Sequence, residues 1–204
     1  MPKPRLGVAL GCAAGLALAG ALAPRAQQNF DKVEIKSEKL TDQDALDFHL
    51  NGDDLHVFHV EHAHTDGDAI IHFHDANVVH MGDTFFNGLY PFIDVSTGGS
   101  VDGMIAACDR VLGMVDARTR IIPGHGPLSD RAGLQTFRDM LAASRERVRR
   151  AIAQGKTLEQ AKAAQLTADF DPTWGGSKFM TPERFVEELY SDLSRKPGAA
   201  SGGE

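Results

Sequence analysis

Histidine and aspartate side chains are concentrated in a few short stretches of this chain, and they constrain its fold and chemistry more than any other feature. The first stretch is His62-Ala63-His64-Thr65-Asp66-Gly67-Asp68, and the second is His80-Met81-Gly82-Asp83-Thr84-Phe85-Phe86. A further histidine stands in Pro123-Gly124-His125-Gly126-Pro127. Imidazoles and carboxylates on loops between apolar strands are the ligands that a divalent metal uses in proteins. The pattern therefore predicts a metal site of the zinc type.

The overall composition is that of an ordinary globular protein. The chain has 204 residues and 42% hydrophobic content, which is enough for one domain with a real core. Its net charge of −7 makes binding to a nucleic acid unfavourable. We therefore expect a small-molecule substrate and no nucleic-acid partner.

Residues 1–26 have the features of a secretory signal peptide. Positive charges precede a run of small and apolar residues from Leu6 to Ala23, and Ala21-Leu22-Ala23 has the form of a cleavage site. Pro24 is unfavourable for cleavage at that point, so a retained N-terminal anchor is the alternative. No other stretch is apolar enough to span a bilayer. We predict a periplasmic or secreted protein with no membrane contact beyond such an anchor.

Hydrophobic periodicity predicts strands in the first half of the chain and helices in the second. The predicted strands are 33–36, 45–50, 55–60, 69–73, 78–81 and 119–122. The predicted helices are 101–115, 131–154 and 182–193. A further short helix is predicted after a capping box formed by Thr157 and Gln160. Ser100 is the predicted cap of the first helix, and Ser129 or Asp130 that of the second. Residues 82–99 form a long loop of the kind that is usually functional. This order predicts a layered α/β or α+β fold.

Three residues are the strongest candidate metal ligands: His64, Asp83 and His125. Each is predicted on the loop after a different strand, and adjacent strands bring such loops together. A metal held there would lower the pKa of bound water to about 7 and so supply hydroxide as a nucleophile. His62, Asp66 and His80 are candidates for support of the site. Asp66 is better explained as a turn-former than as a ligand. His80 is equally explained as a group that supports the site from outside the ligand set.

Taken together, these motifs resemble those of the metallo-β-lactamase-fold hydrolases, and most closely a secreted bacterial branch of that superfamily. The resemblance lies in Thr65-Asp66-Gly67-Asp68, Met81-Gly82-Asp83-Thr84-Phe85-Phe86 and Pro123-Gly124-His125-Gly126, and it extends over roughly residues 46–140. It implies an αββα sandwich with a two-zinc site at its edge. In that family, His64 corresponds to the histidine of the middle motif, Asp83 to the metal-bridging aspartate and His125 to the last histidine.

The chain departs from the family pattern at the first motif, because it contains no His-x-His-x-Asp-His string. The stretch at His62 either is an altered first motif or is the middle motif, with the first one missing. The separation of 42 residues from Asp83 to His125 resembles the middle-to-last spacing and favours the second interpretation. The N-terminal half of the domain would then be absent. We expect a partial αββα sandwich whose three remaining ligands bind one metal weakly, or none.

These interpretations divide the chain into four parts. After the signal peptide, residues 27–155 form an incomplete metallo-β-lactamase-like domain, 156–194 a C-terminal helical extension and 195–204 a disordered tail.

Two functions stay open. The first is a zinc-dependent hydrolase of an ester, thioester or amide, with one or two zinc ions. The second is a truncated, non-catalytic remnant with an incomplete metal site. A sheet edge exposed by the missing half predicts self-association in either case.

Some side chains have expected positions outside the ligand set. His72 and His74 alternate with apolar residues, so we expect them to face solvent. Cys108 lies in the apolar pattern of a helix and is expected to be a buried thiol. The aromatic residues of the long loop either wall a substrate pocket or cover the core: Phe85, Phe86, Tyr90 and Phe92.

Overall fold

The structure is a computed structural model that describes residues 34–36, 45–50 and 52–195, with only the backbone at 34–36 and 50. These residues belong to one compact unit, Lys32–Glu204. The predicted signal peptide and the predicted tail beyond Arg195 lie outside the described residues. No helix within the described ranges is both long and apolar enough to cross a membrane.

Seven strands form a single sheet whose spatial order is the order in the chain. They are β1 (Glu34–Lys36), β2 (Ala45–Leu50), β3 (Asp53–Val60), β4 (Asp68–Phe73), β5 (Val78–Phe86), β6 (Arg120–His125) and β7 (Ser129–Asp130). Neighbouring strands are antiparallel except β5 and β6, which are parallel and are connected through a helix. The fold is therefore mixed α/β, as predicted, and corresponds to part of an αββα sandwich.

Five α-helices and one short 3-10 helix accompany the sheet in the described residues. They are the 3-10 helix Val95–Thr97, α1 (Val101–Met114), α2 (Arg131–Ala153), α3 (Leu158–Ala163), α4 (Asp171–Trp174) and α5 (Pro182–Ser194). The side chains of Ser100 and Asp130 cap α1 and α2, and Thr157 and Gln160 form the predicted capping box of α3. The one-turn helix α4 was not predicted, because its four residues are too few to show a period.

The two faces of the sheet differ in burial. Phe58, Ile70 and Val79 lie on the face that carries α1 and α2, and each is at most 1% exposed. Val57 and Ile71, which are paired on the opposite face, are only half-buried. In a complete αββα sandwich, a second sheet packs on such a face. The residues of the buried face belong to the hydrophobic core, and Cys108 is buried in that core as predicted.

Three expectations are corrected by the strand boundaries and faces. Asp83 lies within β5 and His125 is the last residue of β6, so neither is on a loop after its strand. The reason is that the parallel pairing of β5 with β6 continues past a bulge at Gly82, whose φ is +52°. His72 is buried at 8% exposure, because it shares the helix-covered face with Ile70. His74 is exposed, as expected.

Candidate functional site

The carboxylate of Asp83 lies between two imidazoles that are far apart in the sequence. His64 Nε2 is 3.7 Å from Asp83 Oδ2, and His125 Nε2 is 3.4 Å from Asp83 Oδ1. The loop between β3 and β4 supplies His64, while the neighbouring strands β5 and β6 supply Asp83 and His125. The structure therefore brings the three predicted ligands together at one edge of the sheet.

The ring of His64 is oriented by a hydrogen bond to the backbone. Its Nδ1–H donates to the carbonyl oxygen of Phe92 at 2.8 Å, which leaves the Nε2 lone pair facing Asp83. The backbone of His64 is also fixed, since its carbonyl accepts the N–H of Asp94 at 2.9 Å. Gly99 packs so closely there that a Cβ on it would lie 2.3 Å from the His64 carbonyl oxygen. His64 is thus presented in one tautomer and one orientation.

Two glycines make room for the Asp83 carboxylate at its position between the two histidines. Gly82 adopts the positive φ of the β5 bulge and turns the strand immediately before Asp83. On the neighbouring strand, a Cβ at Gly124 would lie 2.1 Å from Asp83 Oδ1 and 2.6 Å from the backbone of Gly82. The Pro-Gly-His motif therefore needs glycine at this position to let the Asp83 carboxylate approach β6.

His125 is the most open of the three candidate ligands, with 56% of its side chain exposed. Its ring stacks on Phe86, with 4.8 Å between centroids and an interplanar angle of 18°. Its carbonyl oxygen accepts the N–H of Asn87 at 2.9 Å. These contacts hold the imidazole beside Asp83 while one side of it stays open to solvent.

The three candidates for support have other positions. Nδ1 of His62 lies 3.1 Å from Asp66 Oδ1 and 3.1 Å from the carbonyl oxygen of Gly98, on an exposed loop. His62 and Asp66 thus pair with each other and do not line the cavity beside Asp83. His80 accepts the N–H of Gly82 at Nδ1, 3.1 Å away, and so steadies the bulge before Asp83.

A cavity of about 350 Å³ opens next to the two histidines and Asp83. Besides them, its lining consists of Phe86, Leu89, Tyr90, Phe92, Ser177, Phe179 and Met180. Three of the four predicted aromatic residues therefore wall a pocket, whereas Phe85 is fully buried in the core and packs on Phe137. A largely apolar cavity with a few polar groups at one end is the usual form of a small-molecule site.

The C-terminal extension completes this site, and sequence reasoning missed its contribution. Glu188 of α5 accepts the N–H of Ile93 at 3.0 Å, next to the carbonyl that orients His64. Burial raises the pKa of Glu188 to about 7, although its hydrogen bond with Ile93 favours the carboxylate. Tyr90 donates its hydroxyl to Asp171 Oδ1 at 2.7 Å, and burial raises the pKa of Tyr90 as well. No local motif marks these pairs, which are separated by 81 residues or more.

The donor types of the site fit zinc, whose usual ligands are imidazole nitrogen and carboxylate oxygen. Each oxygen of Asp83 faces a different imidazole, so the arrangement resembles a bridge between two positions with one histidine each. Within the described ranges, no group of three or more His, Cys, Asp or Glu side chains is placed so that it could hold one metal ion. The ligand role of the three residues stays a prediction.

Comparisons with known proteins give the family and the fold. The profile of the metallo-beta-lactamase superfamily matches residues 7–130. The stereoselective inverting sec-alkylsulfatase Pisa1 from Pseudomonas sp. is similar in structure, with a TM-score of 0.57, 20% identity and coverage of 72% of this chain and 25% of its own. A double mutant of the same sulfatase gives a TM-score of 0.59 at 19% identity, with the same coverage of both chains.

A third solved structure, the BLEG-1 B3 metallo-beta-lactamase, is 24% identical, with a TM-score of 0.41 over 50% of this chain and 47% of its own. The comparison with curated proteins finds no significant match. The chain spans about a quarter of the length of the sulfatase structures that it matches.

Proposed function

Because the chain belongs to the metallo-beta-lactamase superfamily, we propose that it is a zinc-dependent hydrolase of an ester, thioester or amide. The observation that carries this proposal is the position of the Asp83 carboxylate between Nε2 of His64 and Nε2 of His125, at the end of a cavity of about 350 Å³. The loop between β3 and β4, the strands β5 and β6, and the segment before α5 all contribute side chains to this site. Such convergence is typical of a site rather than of a surface turn.

His64, Asp83 and His125 would hold one or two zinc ions in this proposal. When bound, zinc supplies a hydroxide nucleophile and polarises the scissile bond. Because Nδ1 of His64 donates its hydrogen to the Phe92 carbonyl, the lone pair on Nε2 is available to a metal ion. Phe86 and Phe92 give the cavity apolar aromatic lining against which a substrate would pack. Asp83 contributes the negative charge that balances a bound cation.

A non-catalytic remnant is the second candidate function, and one observation favours it. Each Asp83 oxygen faces only one imidazole, and the sequence has no His-x-His-x-Asp-His string to add further ligands. A zinc position with two protein ligands binds more weakly than the usual three or four. In this case the aromatic cavity would persist without hydrolysis.

Metal content and hydrolysis, measured on the same protein, separate the two candidates. Purified protein is dialysed against zinc and its metal is counted, and it is assayed with p-nitrophenyl acetate, an acetyl thioester, an acetyl anilide and a sec-alkyl sulfate, the last because of the similar sulfatases. The hydrolase proposal expects one to two zinc equivalents and activity on at least one substrate. His64→Ala and His125→Ala remove both, while His62→Ala, an exposed histidine outside the cavity, is the matched control. A zinc content near zero, together with no hydrolysis of any substrate, would exclude the hydrolase and support the non-catalytic remnant.

We also propose that the protein self-associates through the edge of its sheet. Among the described residues, β1 is an outer strand of the sheet, and a strand at a sheet edge can pair with a second copy. Sedimentation velocity between low and high protein concentration tests this proposal. A shift toward a dimer with rising concentration is expected, and a constant monomer would exclude self-association.

A further inference from the structure

Phe179 is a large apolar side chain that is exposed at the rim of the candidate site. Three such side chains are exposed among the described residues, and Phe179 has the largest exposed fraction, 60%. The other two, Met114 and Leu128, do not line the cavity, whereas Phe179 does. An exposed aromatic ring beside a cavity marks a surface on which a ligand gains apolar contact.

The segment around Phe179 is fixed by hydrogen bonds. Ser177 Oγ accepts the N–H groups of Phe179 and Met180, at 3.1 and 3.2 Å. Arg184 donates from Nη1 to the carbonyl oxygen of Phe179, and its guanidinium carbon lies 4.9 Å from the centre of the ring. The ring is therefore held at the rim before any ligand arrives, so little conformational entropy is lost on binding.

Phe179 contacts a second aromatic residue of the cavity lining. The ring of Phe92 meets Phe179 edge-on, with 5.8 Å between centroids, and it also lies 5.7 Å from the ring of His64. Among the residues that line the cavity there is no lysine or arginine, and Asp83 is the only carboxylate. The cavity thus joins an apolar compartment directly to the histidine and aspartate groups.

We propose that this compartment binds the alkyl or aryl group of an uncharged ester and that Phe179 is its specificity-determining residue. Hydrolysis of the ester rests on the proposed function, but binding of the apolar group does not. A bulky apolar group would lie against the surface that the contacting rings of Phe92 and Phe179 form together, and the scissile bond would then be next to Asp83. Esters with only a small acyl group would leave the two rings exposed and gain little from them.

Binding of the neutral dye N-phenyl-1-naphthylamine to zinc-free protein tests the compartment alone. We expect saturable fluorescence enhancement by the wild type and a dissociation constant about fivefold to tenfold higher for Phe179→Ala, because part of one aromatic contact is lost. Phe179→Leu restores most of the affinity. Met114→Ala and Leu128→Ala, which remove the other two exposed apolar side chains, bind like the wild type. Absence of dye binding by the wild type, or equal binding by Phe179→Ala, would overturn the inference.

Hydrolysis of two esters by the zinc-loaded protein tests the link to the reaction. The ratio of kcat/KM for methyl hexanoate to that for methyl acetate, measured as released acid, is expected to fall about fivefold in Phe179→Ala and to keep its wild-type value in Met114→Ala. An unchanged ratio would overturn the role of Phe179 in specificity. If neither ester is cleaved while the dye result holds, the proposed hydrolysis is wrong and the binding compartment stands.

Discussion

The Nδ1 atom of His64 lies 2.8 Å from the carbonyl oxygen of Phe92, and this contact links the candidate ligand to the loop that α5 holds. The residue after Phe92, Ile93, donates its N–H to Glu188 of α5. The loop that orients His64 is therefore held in place by Glu188, which follows Ile93 by 95 residues in the sequence. The helical extension is part of the site because it fixes this loop.

Gly124→Ala is predicted to damage the site through Asp83. The added methyl group would lie 2.1 Å from Asp83 Oδ1 and 2.6 Å from the Gly82 backbone, so the carboxylate and the strand must shift. We expect a loss of about 1–3 kcal/mol in the free energy of unfolding, measured by urea denaturation, and weaker zinc binding in equilibrium dialysis.

Gly113→Ala is the matched control for that substitution, because a Cβ there meets nothing within 4 Å. It lies in α1, where alanine is favoured over glycine, so the stability should be unchanged or slightly higher. If Gly124→Ala were as stable as the wild type and bound zinc equally well, the close packing of β6 on Asp83 would not matter to the site.

Glu188→Gln is predicted to stabilise the protein above neutral pH. The pKa of Glu188 is about 7 in the folded protein, above its ordinary value of 4.5, because burial disfavours the charged carboxylate. The folded state thus binds this proton more tightly, and the free energy of unfolding decreases as the pH rises from 4.5 to 7. In thermal unfolding scans between pH 4.5 and 7, the stability of Glu188→Gln should therefore not show this decrease. Glu187→Gln, at an exposed neighbouring position, should keep it.

His72→Leu is predicted to remove part of the acid sensitivity of the sheet. Burial lowers the pKa of His72 below its usual value of 6.5, and the nearby His74 and His56 lower it further. The folded state therefore binds this proton less tightly, and stability is lost as the pH falls below 6.5.

Leucine at position 72 also removes a polar atom that has no partner, since Nδ1 of His72 makes no hydrogen bond to the described residues. We expect a higher unfolding midpoint for this variant near pH 5 than for the wild type, by differential scanning calorimetry. His49→Leu, at an exposed position on the same sheet, is the control. Equal midpoints for His72→Leu and the wild type in acid would contradict the role of His72.

The sequence predicts the meeting of His64, Asp83 and His125 because the ends of neighbouring strands meet in space whatever their separation along the chain. It also predicts the caps of α1 and α3, since a cap is decided by residues three positions apart. The extension of β5 through Asp83 was missed, because the bulge at Gly82 depends on pairing with β6 and not on local preference.

The rest of the site was not predictable for a similar reason. Glu188 reaches the backbone of Ile93, and Phe179 reaches the cavity, only through the packing of the C-terminal segment against the loop at Phe92. Neither lies in a motif, and the exposure of a phenylalanine has no signal in the sequence. The burial of His72 was misjudged because alternation fixes that Ile70 and His72 share a face but not which face the helices cover.

Whether His64, Asp83 and His125 form a metal site can be seen directly by anomalous scattering at the zinc edge, from crystals of the full chain grown with zinc. A peak is expected within about 2.3 Å of His64 Nε2 and an oxygen of Asp83, with a second peak beside His125 if the carboxylate bridges two ions. The absence of a peak at Asp83, or peaks confined to other histidines such as His56 and His74, would contradict this metal site.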